Sequence, residues 1–265
     1  MTRAQKLAFK AFDRKRQVYQ KKAAGIYKLA LVESYRMAAE AVKAGEAHPT
    51  REEVNAAVKK GIRQSRPAWR KSYKLIYTLV GTDFAKATDK GLQKFVQKSF
   101  AQMEQKAKSA AQVVWEKAIA QYVAVEGGKR IVQIGATTNK RIMGALAEGF
   151  KAGEGADELA ARIMGASKLL LPRANAIART EIITASNLGS QIAAESFGVQ
   201  LEKTWLGTDD ERERATHQAA DGQTVGLKDA FAVGNSLLMF PGDSSLGAEA
   251  AEVVNCRCTQ TYRPV

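Results

Sequence analysis

No proline occurs before Pro49, and the residues ahead of it are mainly alanine, lysine, arginine, glutamine and leucine. These side chains lose little freedom in a helix. With nothing to break it, residues 2–45 read as one long helix. His48-Pro49-Thr50 ends it, because the residue before proline is pushed out of the α region. Thr50-Arg51-Glu52-Glu53 then has the pattern of a capping box, opening a second helix to about Gln64. Pro67 suits the first turn of a third helix, after Ser65 or Arg66 as cap. Trp69, Tyr73 and Tyr77 recur at steps of four, which reads as a core stripe rather than a base-stacking platform. Gly81-Thr82-Asp83 is read as a stop and a cap, followed by another long helix to about Val125. Its apolar stripe is Leu92, Phe95, Val96, Phe100, Met103, Ala107, Ala110, Val114 and Ala118.

Glu126-Gly127-Gly128-Lys129 reads as a linker, since paired glycines weaken a helix. It sets a division into a basic long-helix module, 1–127, and a second module, 128–265. The second opens with a short extended piece, Arg130 to Ile134, and is helical over 137–198. Over 199–265 it is mixed α/β, with strand character at Val199–Leu206, Leu237–Phe240 and Val253–Tyr262. The fold class expected is α+β, predominantly α. The chain has no apolar run of about 18 residues, so no membrane-crossing helix is expected. The first twelve residues lack the apolar core of a secretory signal. Two cysteines, Cys256 and Cys258, make no disulfide framework, and a cytoplasmic address is the default.

Charge is divided unevenly. Of 41 lysines and arginines against 27 acids, residues 1–150 hold 30 and 12, a surplus of 18 positive charges. Residues 151–265 hold 11 and 15. Arg3, Lys6, Lys10, Arg14, Lys21 and Lys28 fall on one face of the first helix, and Lys59, Lys60, Arg63, Arg66, Arg70, Lys71 and Lys74 cluster further on. Such stripes either meet a polyanion, here double-stranded DNA through its phosphates, or form a solvated surface.

In the second half the ordered segments are Ile134-Gly135-Ala136-Thr137-Thr138, Arg173 to Glu181, Asn187, Trp205, Arg214 with His217, Asp221-Gly222-Gln223, Phe231, Phe240-Pro241-Gly242-Asp243 and Asn255-Cys256-Arg257-Cys258. In this order and at these distances they resemble the phage Mu F-like family of minor head proteins. The resemblance implies a head-morphogenesis protein of the virion, made in the host cytoplasm and placed near the portal vertex. It implies contacts with portal or major capsid protein, a part in DNA packaging or delivery, and no established catalysis. Some relatives carry this domain ahead of a toxin or enzyme domain. The chain ends seven residues after Cys258, so no such domain is expected here.

The residues themselves leave alternatives. Cys256 and Cys258 in a strand would point to one face. With His217 they could hold a metal, a structural zinc being the one cofactor considered; otherwise they are buried thiols. A disulfide between them is disfavoured, because strand neighbours at i and i+2 stand about 6.5–7 Å apart. Arg179, Glu181, Arg214, Asp221 and Asn255 read as a polar scaffold of a loop-rich fold, with Arg257 pointing to solvent or to a carboxylate such as Glu181 or Asp221. A metal- or thiol-dependent hydrolase using His217 and the cysteines is the competing reading. Against it, Asp209, Asp210, Glu211 and Glu213 look like a solvated helix start rather than a catalytic carboxylate set. No phosphate-cradling Gly-x-x-x-x-Gly-Lys segment occurs, so the chain is not a packaging ATPase. A DNA-binding protein outside any virion is the third reading.

Overall fold

The computed structural model describes the backbone of residues 3–96 and 107–265, and their side chains except 3–6, 8, 95, 96 and 107–110. The Arg3 and Lys6 side chains, and stripe positions Phe95, Val96, Phe100, Met103, Ala107 and Ala110, therefore lie outside the described side chains. The fold is predominantly α with a few antiparallel strands. Its helices are α1 (Arg3–Lys43), α2 (Arg51–Gln64), α3 (Arg66–Val96), α4 (Ala107–Tyr122), α5 (Gly128–Ala145), α6 (Ala147–Ala152), α7 (Ala156–Ala166), α8 (Leu171–Ser196), α9 (Ala215–Ala220) and α10 (Ala250–Val253). The strands are β1 (Leu201–Leu206), β2 (Thr224–Gly226), β3 (Phe231–Val233), β4 (Ser236–Leu238) and β5 (Thr259–Pro264). None of the described helices is long and apolar enough to cross a membrane.

The chain forms two compact units, each assembled from separate stretches. One comprises residues 24–73 and 125–175; the other comprises 1–23, 74–124 and 176–265. A cut at Gly127-Gly128 would divide both, because the stretches that pack together lie on opposite sides of it in sequence. The glycine pair is also no linker. Residues Val123–Gly127 form a π-helical turn that runs directly into α5, and Lys129 pairs with the buried Glu126 at 2.7 Å across the join. The extended piece expected at Arg130–Ile134 is likewise part of α5. Arg130 and Ile131 face the core at the i, i+1 edge of an amphipathic helix, a pattern too short to distinguish from a strand by sequence.

In the unit of 24–73 and 125–175, Thr50 caps α2: its Oγ1 accepts from the Glu53 N–H at 3.3 Å, and its own N–H donates to Glu53 Oε2 at 2.7 Å. Val54, Val58 and Ile62 form the buried stripe of α2. Trp69 and Tyr73 are core residues: Trp69 stacks on Tyr27 at 6.0 Å and donates its Nε1–H to Ser34 Oγ at 2.9 Å.

In the other unit the sheet order is β2-β1-β5, all antiparallel, with Trp205 of β1 opposite Gln260 of β5. β3 and β4 form a separate hairpin, Phe231 opposite Leu238. Trp205, Phe231, Val233, Leu238 and Ile183 of α8 make one core with Cys256 and Cys258. Gly81 does not stop α3. It lies where α3 meets α8, so close that a Cβ on Gly189 would stand 2.0 Å from the Gly81 carbonyl oxygen. The glycine serves close helix packing, which outweighs its weak propensity inside a helix.

Lys203, inward-facing on β1, is fully buried. Its Nζ donates to the Met239 carbonyl at 2.6 Å and sits 5.1 Å from the Phe231 ring centroid. Burial pulls its pKa down to about 8, against the opposing pull of Glu195, Asp229 and Asp243. A folded-state pKa below the unfolded 10.5 means the unfolded chain binds the extra proton between those values. Stability contributed by this group therefore rises as pH climbs through that window. Lys203→Met is expected to flatten the rise, read as the difference between the urea-melt profiles of the two proteins from pH 8 to 10; parallel profiles would refute it.

Candidate functional site

Cys256-Arg257-Cys258 does not lie in a strand. It is the irregular approach to β5, entered through Asn255 at a φ of 58°. That left-handed conformation suits asparagine better than most residues, and the Asn255 N–H is held by Thr180 Oγ1 of α8 at 3.0 Å. The bend still turns both sulfurs to one side, toward His217 of α9. His217 Nδ1 lies 3.3 Å from Cys258 Sγ and 3.8 Å from Cys256 Sγ, and all three residues are buried. The far ring nitrogen, Nε2, is 3.1 Å from Glu252 Oε2 of α10, which also accepts from Thr216 Oγ1 at 2.8 Å. The Trp205 ring meets the imidazole edge-on at 5.6 Å.

The ionisation of this cluster is shared. A hydrogen bond from the Cys258 thiol holds Cys256 well below the usual thiol range, with His217 adding to the effect. Cys258 is pushed up by the same bond and by burial. Burial opposes protonation of His217, but the hydrogen bond and charge of Cys256 outweigh it, and the net direction is upward.

The acidic run before α9 is not a solvated helix start. Arg257 points away from the thiols and grips Asp210 with both ends of its guanidinium, at 2.5 and 2.6 Å, holding that carboxyl well below the usual range. Its partner is thus Asp210, not Glu181 or Asp221. Glu213 ties the loop: its Oε1 accepts from the Thr208 N–H at 2.9 Å and its Oε2 from the Asp209 N–H at 2.8 Å. The same Oε1 accepts from the Cys258 thiol at 3.7 Å. A Cβ at Gly207 would stand 2.2 Å from that oxygen, so a side chain there would push the carboxylate aside.

The scaffold residues are dispersed. Glu181 is buried and accepts from the Tyr77 hydroxyl at 2.6 Å, whereas Arg179 lines a cavity of about 510 Å³ whose wall includes the His217 and cysteine side chains. Arg214 donates to the Val254 carbonyl, and Asp221 Oδ1 accepts from the Gly207 N–H at 2.7 Å.

A second centre lies beside the first and was not foreseen. Arg16 of α1 is fully buried and donates to Ser186 Oγ at 2.7 Å, Asn187 Oδ1 at 2.6 Å, Thr259 Oγ1 at 3.1 Å and the Cys258 carbonyl at 3.4 Å. Burial lowers its pKa to about 10, which leaves it charged at neutral pH. Asn187 completes the centre, its Nδ2 donating to the Pro241 carbonyl at 2.8 Å and the Cys258 carbonyl at 3.2 Å. Thr184 Oγ1 donates to Gly242 at 2.9 Å, so α8 holds the Pro241-Gly242 turn from two positions.

Among the expected DNA contacts, Lys10, Arg14, Lys21, Lys59, Lys60, Arg63, Arg70 and Lys71 are exposed, while Lys28 and Arg66 are half-buried.

Residues 140–261 match the model of the family described as "Phage Mu protein F like protein". Over 121 residues the chain is 31% identical to the "Minor head protein GP7" of Bacillus phage SPP1, covering 44% of this chain and 38% of that protein. Over 87 residues it is 38% identical to an "NAD(+)--arginine ADP-ribosyltransferase EFV" of Enterococcus faecalis, covering 31% of this chain and 17% of that one. The chain thus spans well under half the length of either relative. No solved structure matches it significantly. The whole His217, Cys256 and Cys258 cluster falls inside the matched region; Arg16 falls outside it.

Proposed function

We propose, from the premise that this chain belongs to the phage Mu F-like family of minor head proteins through residues 140–261, that it is a structural part of the phage head. It acts in head morphogenesis near the portal vertex, contacts portal or major capsid protein, and assists DNA packaging or delivery. It is assembled into the virion from the host cytoplasm. The observation that carries this reading is the 31% identity over 121 residues to a minor head protein, beside the family match over 140–261, which holds the thiol cluster and Asn187. A non-catalytic role is supported by the cluster itself. Cys256 and Cys258 are each only about 1% exposed and the outer nitrogen of His217 is engaged by Glu252, so although the cluster borders the cavity lined by Arg179, neither thiol is held open as a free nucleophile.

The basic residues supply the second half of the proposal. The exposed Lys59, Lys60, Arg63, Arg70 and Lys71 present cations along α2 and the start of α3. They neutralise DNA phosphates without reading base edges. If about five phosphates are neutralised, log K falls against log salt with a slope of about −4 to −5, and glutamine at those five positions removes most of that slope. The head role is tested by mass spectrometry of purified particles from the producing phage, and by removal of the gene. The protein is expected in the particles, and its loss is expected to yield heads that fail to fill or to deliver DNA. Particles free of the protein, with normal heads after deletion, would overturn the proposal.

A further inference from the structure

We propose that His217 Nδ1, Cys256 Sγ and Cys258 Sγ hold a zinc ion, that the Glu213 carboxylate is the fourth ligand, and that Glu252 fixes the imidazole from behind. The distances carry it. Zinc binds histidine nitrogen at about 2.0–2.1 Å and thiolate sulfur at about 2.3 Å, in a tetrahedron. Those lengths at a tetrahedral angle separate nitrogen from sulfur by about 3.6 Å. The two nitrogen–sulfur separations here are 3.3 and 3.8 Å, and the three donor atoms all lie within 4.8 Å of one another. For a carboxylate oxygen at about 2.0–2.2 Å the separation from sulfur is about 3.6 Å. Glu213 Oε1 stands 3.7 Å from Cys258 Sγ, outside the 4.8 Å group formed by the other three donors, so its carboxylate closes in on the ion when zinc binds.

The surroundings match a metal centre better than a pair of buried thiols. A ligating histidine characteristically gives its other ring N–H to a carboxylate, which fixes the tautomer and turns the ring to the ion. Glu252 Oε2 occupies that place and is itself steadied by Thr216. Arg16, buried beside the cysteines, donates its hydrogen bonds to neutral oxygens, with Asp13 as a nearby carboxylate. A buried cation needs a compensating anion. Two thiolates and one carboxylate around a divalent ion leave a single negative charge, which joins Asp13 in offsetting the charge of Arg16. On binding, the two thiols lose their protons to solvent and the ion takes their place.

The site ties α9, the loop carrying Glu213 and the approach to β5 to one ion, without helices that are long enough to hold themselves. The zinc is structural: all four positions are filled by protein, with none left for a reacting water. This inference is independent of the head role.

The test uses the full chain, purified without chelator. Elemental analysis is expected to find one equivalent of zinc, and cobalt(II) exchanged into the site is expected to show sulfur-to-cobalt charge-transfer absorption together with the intense visible bands of a tetrahedral ion. Cys256→Ser is expected to abolish the charge-transfer bands or halve them. Glu252→Gln keeps all four ligands and is expected to weaken zinc affinity about 10–100-fold. Glu213→Gln and Gly207→Ala are expected to shift the visible bands while keeping those from sulfur. Unmoved visible bands in both would overturn the carboxylate as fourth ligand. Folded wild-type protein that carries no zinc, and shows no sulfur-to-cobalt absorption when cobalt is added, would overturn the site, whatever the variants do.

Discussion

Arg16→Ala is expected to destabilise the protein by about 3–5 kcal/mol, the range seen when a buried charged network loses one member. The side chain is fully buried, and its guanidinium reaches four oxygens on two separate elements, Ser186 and Asn187 on α8 and Cys258 and Thr259 at the start of β5. Each hydrogen bond from a charged donor is worth about 1.5–3 kcal/mol, though bonds sharing one donor group do not add. Alanine also leaves a cavity between the Phe12 and Phe84 rings, whose centroids lie 5.9 and 5.7 Å from the guanidinium carbon. Arg16→Lys separates charge from geometry. A lysine keeps the cation but has no planar fork to span Ser186 and Asn187 together, so it is expected to recover less than half of the loss. Urea melts of the three proteins check this. A cost within about 0.5 kcal/mol, typical of a surface substitution, would mean that Arg16 is not the tie described.

Arg16 also marks the limit of what the sequence showed. It sits among Phe12, Ala23 and Tyr27 at helical spacing, and so on the apolar face of α1. A cation there signals a buried polar partner. The signal was masked by the many lysines and arginines around it, which fit a solvated or DNA-facing stripe equally well. The capping box at Thr50, the core positions of Trp69, Tyr73 and Tyr77, and the extent of α8 were legible because each is marked by a pattern within a short stretch of sequence: a cap spacing, an aromatic step of four, a proline start and a glycine stop. The misreadings share one cause. Gly81, Gly127 and Gly128 have low helix propensity, and only tertiary packing reveals that Gly81 leaves room for the Ile119 side chain of α4 while Gly189 admits the Gly81 backbone. Asp210 and Glu213 looked like surface acids because their partners, Arg257 and Cys258, lie more than forty residues away in sequence. The meeting of His217 with Cys256 and Cys258 was foreseeable as chemistry. The turn through Asn255 that presents both sulfurs was not, because a strand gives the same side-chain alternation.

The fragment 128–265 is expected not to unfold cooperatively on its own, although it holds every segment that resembles the phage family. It retains α8, the sheet and the thiol cluster, yet lacks residues 1–23 and 74–124, which belong to the same compact unit. The cut removes Arg16 from Ser186, Asn187, Cys258 and Thr259; Tyr77 from Glu181; and the indole of Trp115 from Ser196, a 2.8 Å bond. Glu181 would lose the Tyr77 hydroxyl that donates to it, and Gly189 would lose the helix whose backbone it admits. Exposure of the α8 face that now packs on α3 and α1 removes apolar burial at about 25 cal/mol for each Å². Net stabilities are only about 5–15 kcal/mol for a whole domain, so several such losses together exceed what the fragment can retain. Circular dichroism should still report helix, while a urea titration should give a broad, shallow transition and the dye ANS should bind. Restoring residues 1–23 and 74–124 in the same chain should recover a single steep transition. A sharp, two-state melt of the fragment alone would show that the second half is self-sufficient and that the Arg16 and Tyr77 contacts are accessory.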